Sequence, residues 1–481
     1  MTPPAERRAN PWFAGIVAAV IVAVIGAQLA AGAYVQFFID FKVPYCAGTA
    51  MLHGLDPYRF GSLPACEHTV AVLPFVPPLH AGDPALPLPI PPYEMVPFLV
   101  LAQFGFPVAL ALWMGLNIAC CAVAADLLRR MLPSVQPVLI ASAVIVSAVP
   151  VGLDLAQFTG FVLLAVTAMG MALRRRQPVV LGMWLAVAAL QPHVALPAAV
   201  ALLFGGGRAV RLAVLGVGLA IGLLSALAFG PLTVEWLTQV LPGHAGANLI
   251  DAAQVSFVSG LATAGLPLGL TSLLSKLVYG AAIVFGAVAA TRIARRTGRA
   301  EALPWIGAAI GTLGAPYLHL QQITFVLPAA LLLVDLGPAR RWAVCALYGL
   351  AIPWAALVMQ HWGPWFAMGA GAGTWRRLTP RGILATTGWA LLLAAILTAA
   401  AIGFDVLRRP EPAFVPPVLA PDAFGEGAWA PFIVIQAQAF GLATLPARAL
   451  TWAAGLLLIV LTGRAAFAPW PAVGPAATAE R

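Results

Sequence analysis

Trp12 to Phe38 reads WFAGIVAAVIVAVIGAQLAAGAYVQFF, an apolar run with no charged residue, and Asp40 stands two positions beyond its end. A bilayer core is about 30 Å thick and takes about 20 helical residues to cross. The run is long enough to cross. It is also longer than the roughly 7–15-residue apolar stretch of a cleaved signal peptide. It therefore reads as a retained first membrane helix, with Arg7 and Arg8 holding its start in the cytoplasm. Similar runs recur through all 481 residues. Sixty-one percent of the chain is apolar and only 9% is Asp, Glu, Lys or Arg, where soluble proteins carry about 25% charge. The mean hydropathy is +0.93. These values predict an all-α polytopic membrane protein, one integral domain over residues 1–481. They exclude a water-soluble enzyme, a nucleic-acid binder and a disordered chain as first readings.

The net charge of +9 is then a topology signal. Arg129 and Arg130, Arg174 to Arg176, Arg208 and Arg211, Arg292 to Arg299 and Arg340 and Arg341 fall between apolar runs, as the positive-inside rule requires. The runs lie at 107–128, 133–152, 158–173, 179–190, 195–204, 212–230, 270–291, 303–314, 317–335, 342–360, 382–404, 432–445 and 450–462. With the first helix and the shortest pairs allowed for, about 11–13 spans are expected. The chain divides into the first helix (12–38), a first outer loop (39–105), a membrane module (107–335) and a more variable C-terminal part (342–481). No Lys or Arg occurs from Leu212 to Ser275, so a loop over 231–267 is expected on the outer face. Arg376 and Arg377 sit on the wrong side of this scheme. Either a span is misread there or these arginines have another use.

The first outer loop is rich in chemistry. Residues 39–92 hold eleven prolines, and proline fixes φ and removes a backbone donor, so Ser62 to Pro92 cannot form a long helix. Cys46 and Cys66 both lie here, where the compartment permits disulfides. A bridge between them would close a loop of about 20 residues and contribute roughly 3 kcal/mol. Two unpaired thiols, or a metal site with His53, His68 or His80, are the alternatives. Cys120, Cys121 and Cys345 lie in apolar runs and read as small core residues.

The densest string is Asp40-Phe41-Lys42-Val43-Pro44-Tyr45-Cys46-Ala47-Gly48-Thr49-Ala50-Met51-Leu52-His53-Gly54-Leu55-Asp56-Pro57-Tyr58. An ionisable group at a membrane boundary is a functional candidate by default. The string resembles the polyprenol-phosphate-mannose-dependent mannosyltransferases of the GT-C glycosyltransferase superfamily, the group that includes the mycobacterial enzyme elongating phosphatidylinositol mannosides. The resemblance rests on Asp40, Tyr45, Ala47, Leu52, Gly54, Pro57 and Tyr58. It continues at Pro91-Pro92-Tyr93, at Ala156-Gln157 where Gly-Gln is usual, at Gln191-Pro192 where Lys-Pro is usual, and at Ala315-Pro316-Tyr317-Leu318-His319. It covers residues 12 to about 335. Gln191 in place of lysine removes one positive charge near the donor.

The resemblance implies a GT-C fold with short interfacial helices in the first outer loop. It implies transfer of a hexose, mannose by family precedent, from a polyprenyl-phosphate donor to a lipid or glycan hydroxyl. The membrane would be the bacterial inner (plasma) membrane, with the site facing the periplasm or exterior. Asp40 is the expected general base and inversion the expected outcome. The leaving group is a lipid phosphate, and cations that neutralise it lower the barrier. The candidates are Lys42, Arg59, Lys276, His319 and Arg376. Tyr45, Tyr58, Tyr93, Gln157 and His193 are candidates for sugar or acceptor binding. Each has a plainer reading: Lys42 and Arg59 as solvated or headgroup contacts, Lys276 as a snorkelling side chain, and the tyrosines as interfacial anchors. No cofactor is expected. A divalent ion would want two or more carboxylates; Asp56, Glu67, Asp83 and Glu94 are available, yet a monophosphate donor carries no diphosphate to neutralise. The competing readings are a transporter or flippase of lipid-linked sugar, suggested by the proline-split pairs at Pro192 and Pro316, a different lipid-linked sugar ligase or polymerase, and a scaffold subunit.

Overall fold

A computed structural model describes residues 7–30, 38–70, 85–147, 149–337, 339–359 and 380–468. Helices dominate throughout, and among the described residues the only β pairings are two isolated bridges. In lipid every backbone N–H and C=O must be paired within the chain, which leaves the helix as the default for apolar runs. After α1 (Pro11–Ala30) come α2 (Ile39–Leu52), α3 (Pro64–Thr69) and α4 (Val96–Leu101) of the first loop region. The next group is α5 (Phe106–Met131), α6 (Pro137–Ile145), α7 (Val149–Asp154), α8 (Thr159–Arg174), α9 (Pro178–Ala188) and α10 (Pro192–Gly205). Then follow α11 (Arg208–Glu235), α12 (Leu241–Asn248), α13 (Phe257–Thr263), α14 (Leu268–Thr297) and α15 (Ala302–Leu313). The last are α16 (Leu327–Leu336), α17 (Arg340–Ala351), α18 (Trp354–Met359), α19 (Pro380–Leu407) and α20 (Glu426–Phe467). Pro137, Pro178 and Pro192 each open a helix, where the missing N–H costs nothing. Gly298, at φ 70°, ends α14 next to its terminal arginines.

The chain is thus an all-helical polytopic membrane protein. By length and composition, α5, the continuous 208–248 helix, α14 and α20 can each cross a bilayer, and several shorter apolar helices pack among them. The expected outer loop over 231–267 is corrected. α11 bends at Phe229, carries Pro231 and runs on through a wide turn at Trp236–Val240 into α12, so most of that stretch is helical. The runs 432–445 and 450–462 are also corrected, because both belong to α20. Arg448 divides them by hydropathy, but it is buried against protein and so need not end the helix. The run 133–152 is two helices, α6 and α7, and the run 317–335 opens with a tight 3₁₀ segment at 320–326 before α16.

Two ends of the bundle differ in chemistry. At one, Arg299 bonds Asp335 at 2.5 Å, Arg174 and Arg299 share Glu301, and Asp335 accepts from Ser134 N at 3.1 Å. At the other, α2 carries Asp40 in its first turn, and Cys46 of α2 is bridged to Cys66 of α3 with the two Cα atoms 5.7 Å apart. Phe41, Tyr45, Phe98, Phe106 and Trp113 stack around the base of α2 with ring centroids 5.0–6.0 Å apart. The helices meet closely where side chains are small: a Cβ on Gly160 of α8 would lie 2.2 Å from the Asn117 carbonyl of α5.

Candidate active site

Asp40 sits in the first turn of α2, where the exposed backbone N–H groups favour an anion. The chain enters α2 through Phe38 at φ 58°, and Phe38 N donates to the Asp154 carbonyl at 2.6 Å. Gln157 Nε2 donates to Asp40 Oδ2 at 2.6 Å, and Gln321 Nε2 donates to Gln157 Oε1 at 2.9 Å. Helix α2, the α7–α8 turn and the 320–326 segment therefore converge on one half-buried carboxylate. Burial raises the Asp40 carboxyl above its ordinary value; the Gln157 hydrogen bond and the charge of His319 oppose that rise.

His319 begins the 320–326 segment and caps it: its side chain accepts from the backbone of Gln322, and its own N–H donates to Gln322 Oε1 at 2.9 Å. Gln254 Nε2 lies 2.9 Å from His319 Nε2 and donates to Asn248 Oδ1 at 2.7 Å. Leu318 N donates to Gln254 Oε1 at 2.6 Å. Asn248 Nδ2 in turn lies 2.9 Å from His244 Nε2. The rings of His193 and His244 flank Tyr317 at 5.4 and 6.0 Å. Gln191, the departure from lysine, accepts from Gln322 Nε2 at 3.4 Å, so position 191 does face the site. Burial, with Glu94 nearby, pushes the Tyr317 hydroxyl up to about 12.

Of the residues singled out from sequence, Asp40, Gln157 and His319 come together, and buried His193 joins them across Tyr317. Others are directed elsewhere. Lys42 is fully buried, two residues and 200° around α2 from Asp40, and its charge acts on Glu67. Arg59 binds Asp56 at 2.9 Å and also Glu235, donates to the Asp422 carbonyl at 2.7 Å and stacks on Phe424 at 4.2 Å. Lys276 is exposed on α14; Tyr279, nearly one turn on, donates to the His193 carbonyl at 3.0 Å. The hydroxyls of Tyr45, Tyr58 and Tyr93 donate to the carbonyls of Phe104, Ile90 and Ala189 at 2.8, 2.9 and 3.0 Å. The first two bonds brace the loop internally, and the third ties it to the end of α9. Arg376 lies outside the described residues. Among the described residues no three His, Cys, Asp or Glu side chains converge as metal ligands; Asp83 lies outside them. The residues missed from sequence are Gln321, Gln254, Asn248 and His244. His244, Asn248 and Gln254 fall in the 231–267 stretch that hydropathy reads as a loop, which hid them, and Gln321 lies inside the apolar run 317–335.

Residues 91–316 match the family model for Glycosyltransferase family 87. No curated protein and no solved structure matches the chain. The matched stretch includes Gln157, Gln191, His193, His244, Asn248 and Gln254, while Asp40 precedes it and His319 and Gln321 follow just after. Together with the apolar helices, the match supports a membrane glycosyltransferase, which works with a sugar donor, an acceptor and the surrounding lipid.

Proposed function

We propose that the chain transfers a hexose, mannose in the first place, from a polyprenyl-phosphate donor to a hydroxyl of a lipid or glycan acceptor, at the periplasmic or exterior face of a bacterial plasma membrane. The observation that carries this reading is one carboxylate, Asp40, held by Gln157 and Gln321 beside His319. In this reading the acceptor oxygen attacks the anomeric carbon as its proton passes to Asp40. The bond from that carbon to the phosphate oxygen breaks, and the polyprenyl phosphate leaves with the electron pair. A single displacement inverts the anomeric carbon. Among the described residues His319 is the positively chargeable side chain whose field reaches Asp40, and it is the group suited to the departing phosphate. The amides of Gln157 and Gln321 hold the base in one rotamer, which limits the reorganisation needed at the moment of transfer.

The test is sugar transfer by purified protein from a radiolabelled polyprenyl-phosphate sugar. Asp40→Asn keeps shape and loses the base, and is expected to cut kcat by about 10²–10⁴-fold. His319→Ala is expected to lose less, because one stabilising group is removed and not the proton acceptor. Undiminished transfer by Asp40→Asn sinks the proposal. Movement of the labelled lipid across a vesicle membrane with no glycoside formed would favour the flippase reading.

A further inference from the structure

Arg448 lies in α20, beyond the family-matched stretch, and is 1% exposed. Burying a guanidinium is costly, and an apolar side chain of similar volume is often the cheaper occupant. Its presence is explained by what it holds. Nη2 donates to the Ala252 carbonyl at 2.6 Å and to the Asp251 carbonyl at 3.4 Å, and Nη1 to Thr263 Oγ1 at 3.4 Å. Among the described residues it makes no direct ion pair to a carboxylate; its donors go to two backbone carbonyls and one hydroxyl, within the field of the Asp251 carboxylate. One turn further along the same face, Trp452 Nε1 donates to the Val255 carbonyl at 2.9 Å. These two side chains bracket Gln254, which is itself fully buried. From the turn so held, Gln254 reaches His319, and Val255 N donates to the Leu318 carbonyl at 2.7 Å.

We infer that Arg448 and Trp452 are positioning residues, which fix the 251–255 turn so that Gln254 sets the ring of His319 relative to Asp40. The C-terminal helix thereby completes a site whose other parts lie in the first two thirds of the chain. This rests on the transfer reading above. Neither side chain is argued to touch the substrate.

Four variants, His319→Ala among them, and the wild type decide it. Arg448→Ala is expected to lower kcat about tenfold or more with the donor KM changed less than about threefold. Trp452→Phe keeps an aromatic ring and removes the donor; it is expected to lower kcat by about fivefold, and it carries the test if Arg448→Ala does not fold. In Arg448→Ala/His319→Ala the losses should be far from additive, since the first substitution already spoils the second group. Hydrogen exchange of the backbone in detergent, which needs no substrate, should quicken at 251–256 and 318–322 in Arg448→Ala and in Trp452→Phe. Unchanged exchange at 318–322, or fully additive losses, overturns the inference. Asp40→Asn is assayed alongside. If it transfers sugar normally the function reading fails; if it is dead while Arg448→Ala and Trp452→Phe turn over normally, only the positioning role fails.

Discussion

Ala156 adopts φ 57°, a left-handed conformation that glycine takes freely and alanine does not. The backbone needs this turn to bring α7 into α8 and to aim Gln157 at Asp40, and Trp113 Nε1 fixes it by donating to the Ala156 carbonyl at 2.7 Å. A non-glycine residue there costs about 1–3 kcal/mol. Ala156→Gly should therefore raise thermal stability in detergent by about 1 kcal/mol and keep transfer activity, because the same φ becomes unstrained. The next residue governs the base. Asp40 must be ionised to accept a proton, and its carboxyl is raised above the ordinary range by burial, so the acid limb of kcat should lie above that range. Gln157→Leu removes a hydrogen bond that favours the ionised form. The acid limb should then move to still higher pH, and kcat at low pH should fall more than kcat at high pH. An acid limb that stays in place in a pH–rate profile would contradict Asp40 as the group that titrates.

At the scale of elements, α2 and α3 form a unit joined by the Cys46–Cys66 bridge and by the burial of Lys42 beside Glu67. Burial drives Glu67 up to about 7 from 4.5, while a hydrogen bond from Leu86 N and the charge of Lys42 restrain the rise. A carboxyl raised in the folded state contributes fully below the unfolded value and loses stability as pH rises through the folded one. Stability should thus decline from pH about 4.5 to about 7 and then level, and Glu67→Gln should flatten that decline by up to about 3 kcal/mol. Lys42→Met should extend the decline to higher pH. Denaturant midpoints across this range measure both. Arg59 ties the same unit to the 421–425 segment, through Asp422 and Phe424, and to Glu235 at the end of α11. Sequence offered Arg59 as a phosphate ligand, but two carboxylates already occupy it.

Across the whole molecule, charge is separated by role. The arginine-rich end is closed by Arg174, Glu301, Arg299 and Asp335, with Glu301 fully buried between two guanidinium groups. Glu301→Gln would leave those cations without their shared anion and should cost about 3–5 kcal/mol. Because Glu301 lies at the opposite end from Asp40, kcat per folded molecule should change less than about twofold, so thermal unfolding and activity should separate cleanly.

The helical, polytopic nature of this chain was settled by composition, since a backbone in lipid has no partner for its polar groups except itself. Asp40 and His319 stood out as candidates for a related reason: Asp40 follows the end of the first apolar run and His319 comes three residues after the Pro316 break, where a costly group needs a purpose. Sequence could not say which charges would meet. Lys42 stands two residues from Asp40 yet points into the loop toward Glu67, while Gln321 is 164 positions from Gln157 and bonds to it. Nor could hydropathy join the two halves of α20 across Arg448, because the scale counts a charge as exposed until a neighbour is known. Helix formation is local and follows from the run of side chains. The pairing of polar groups is a property of helices packed against each other, and only the tertiary structure decides it.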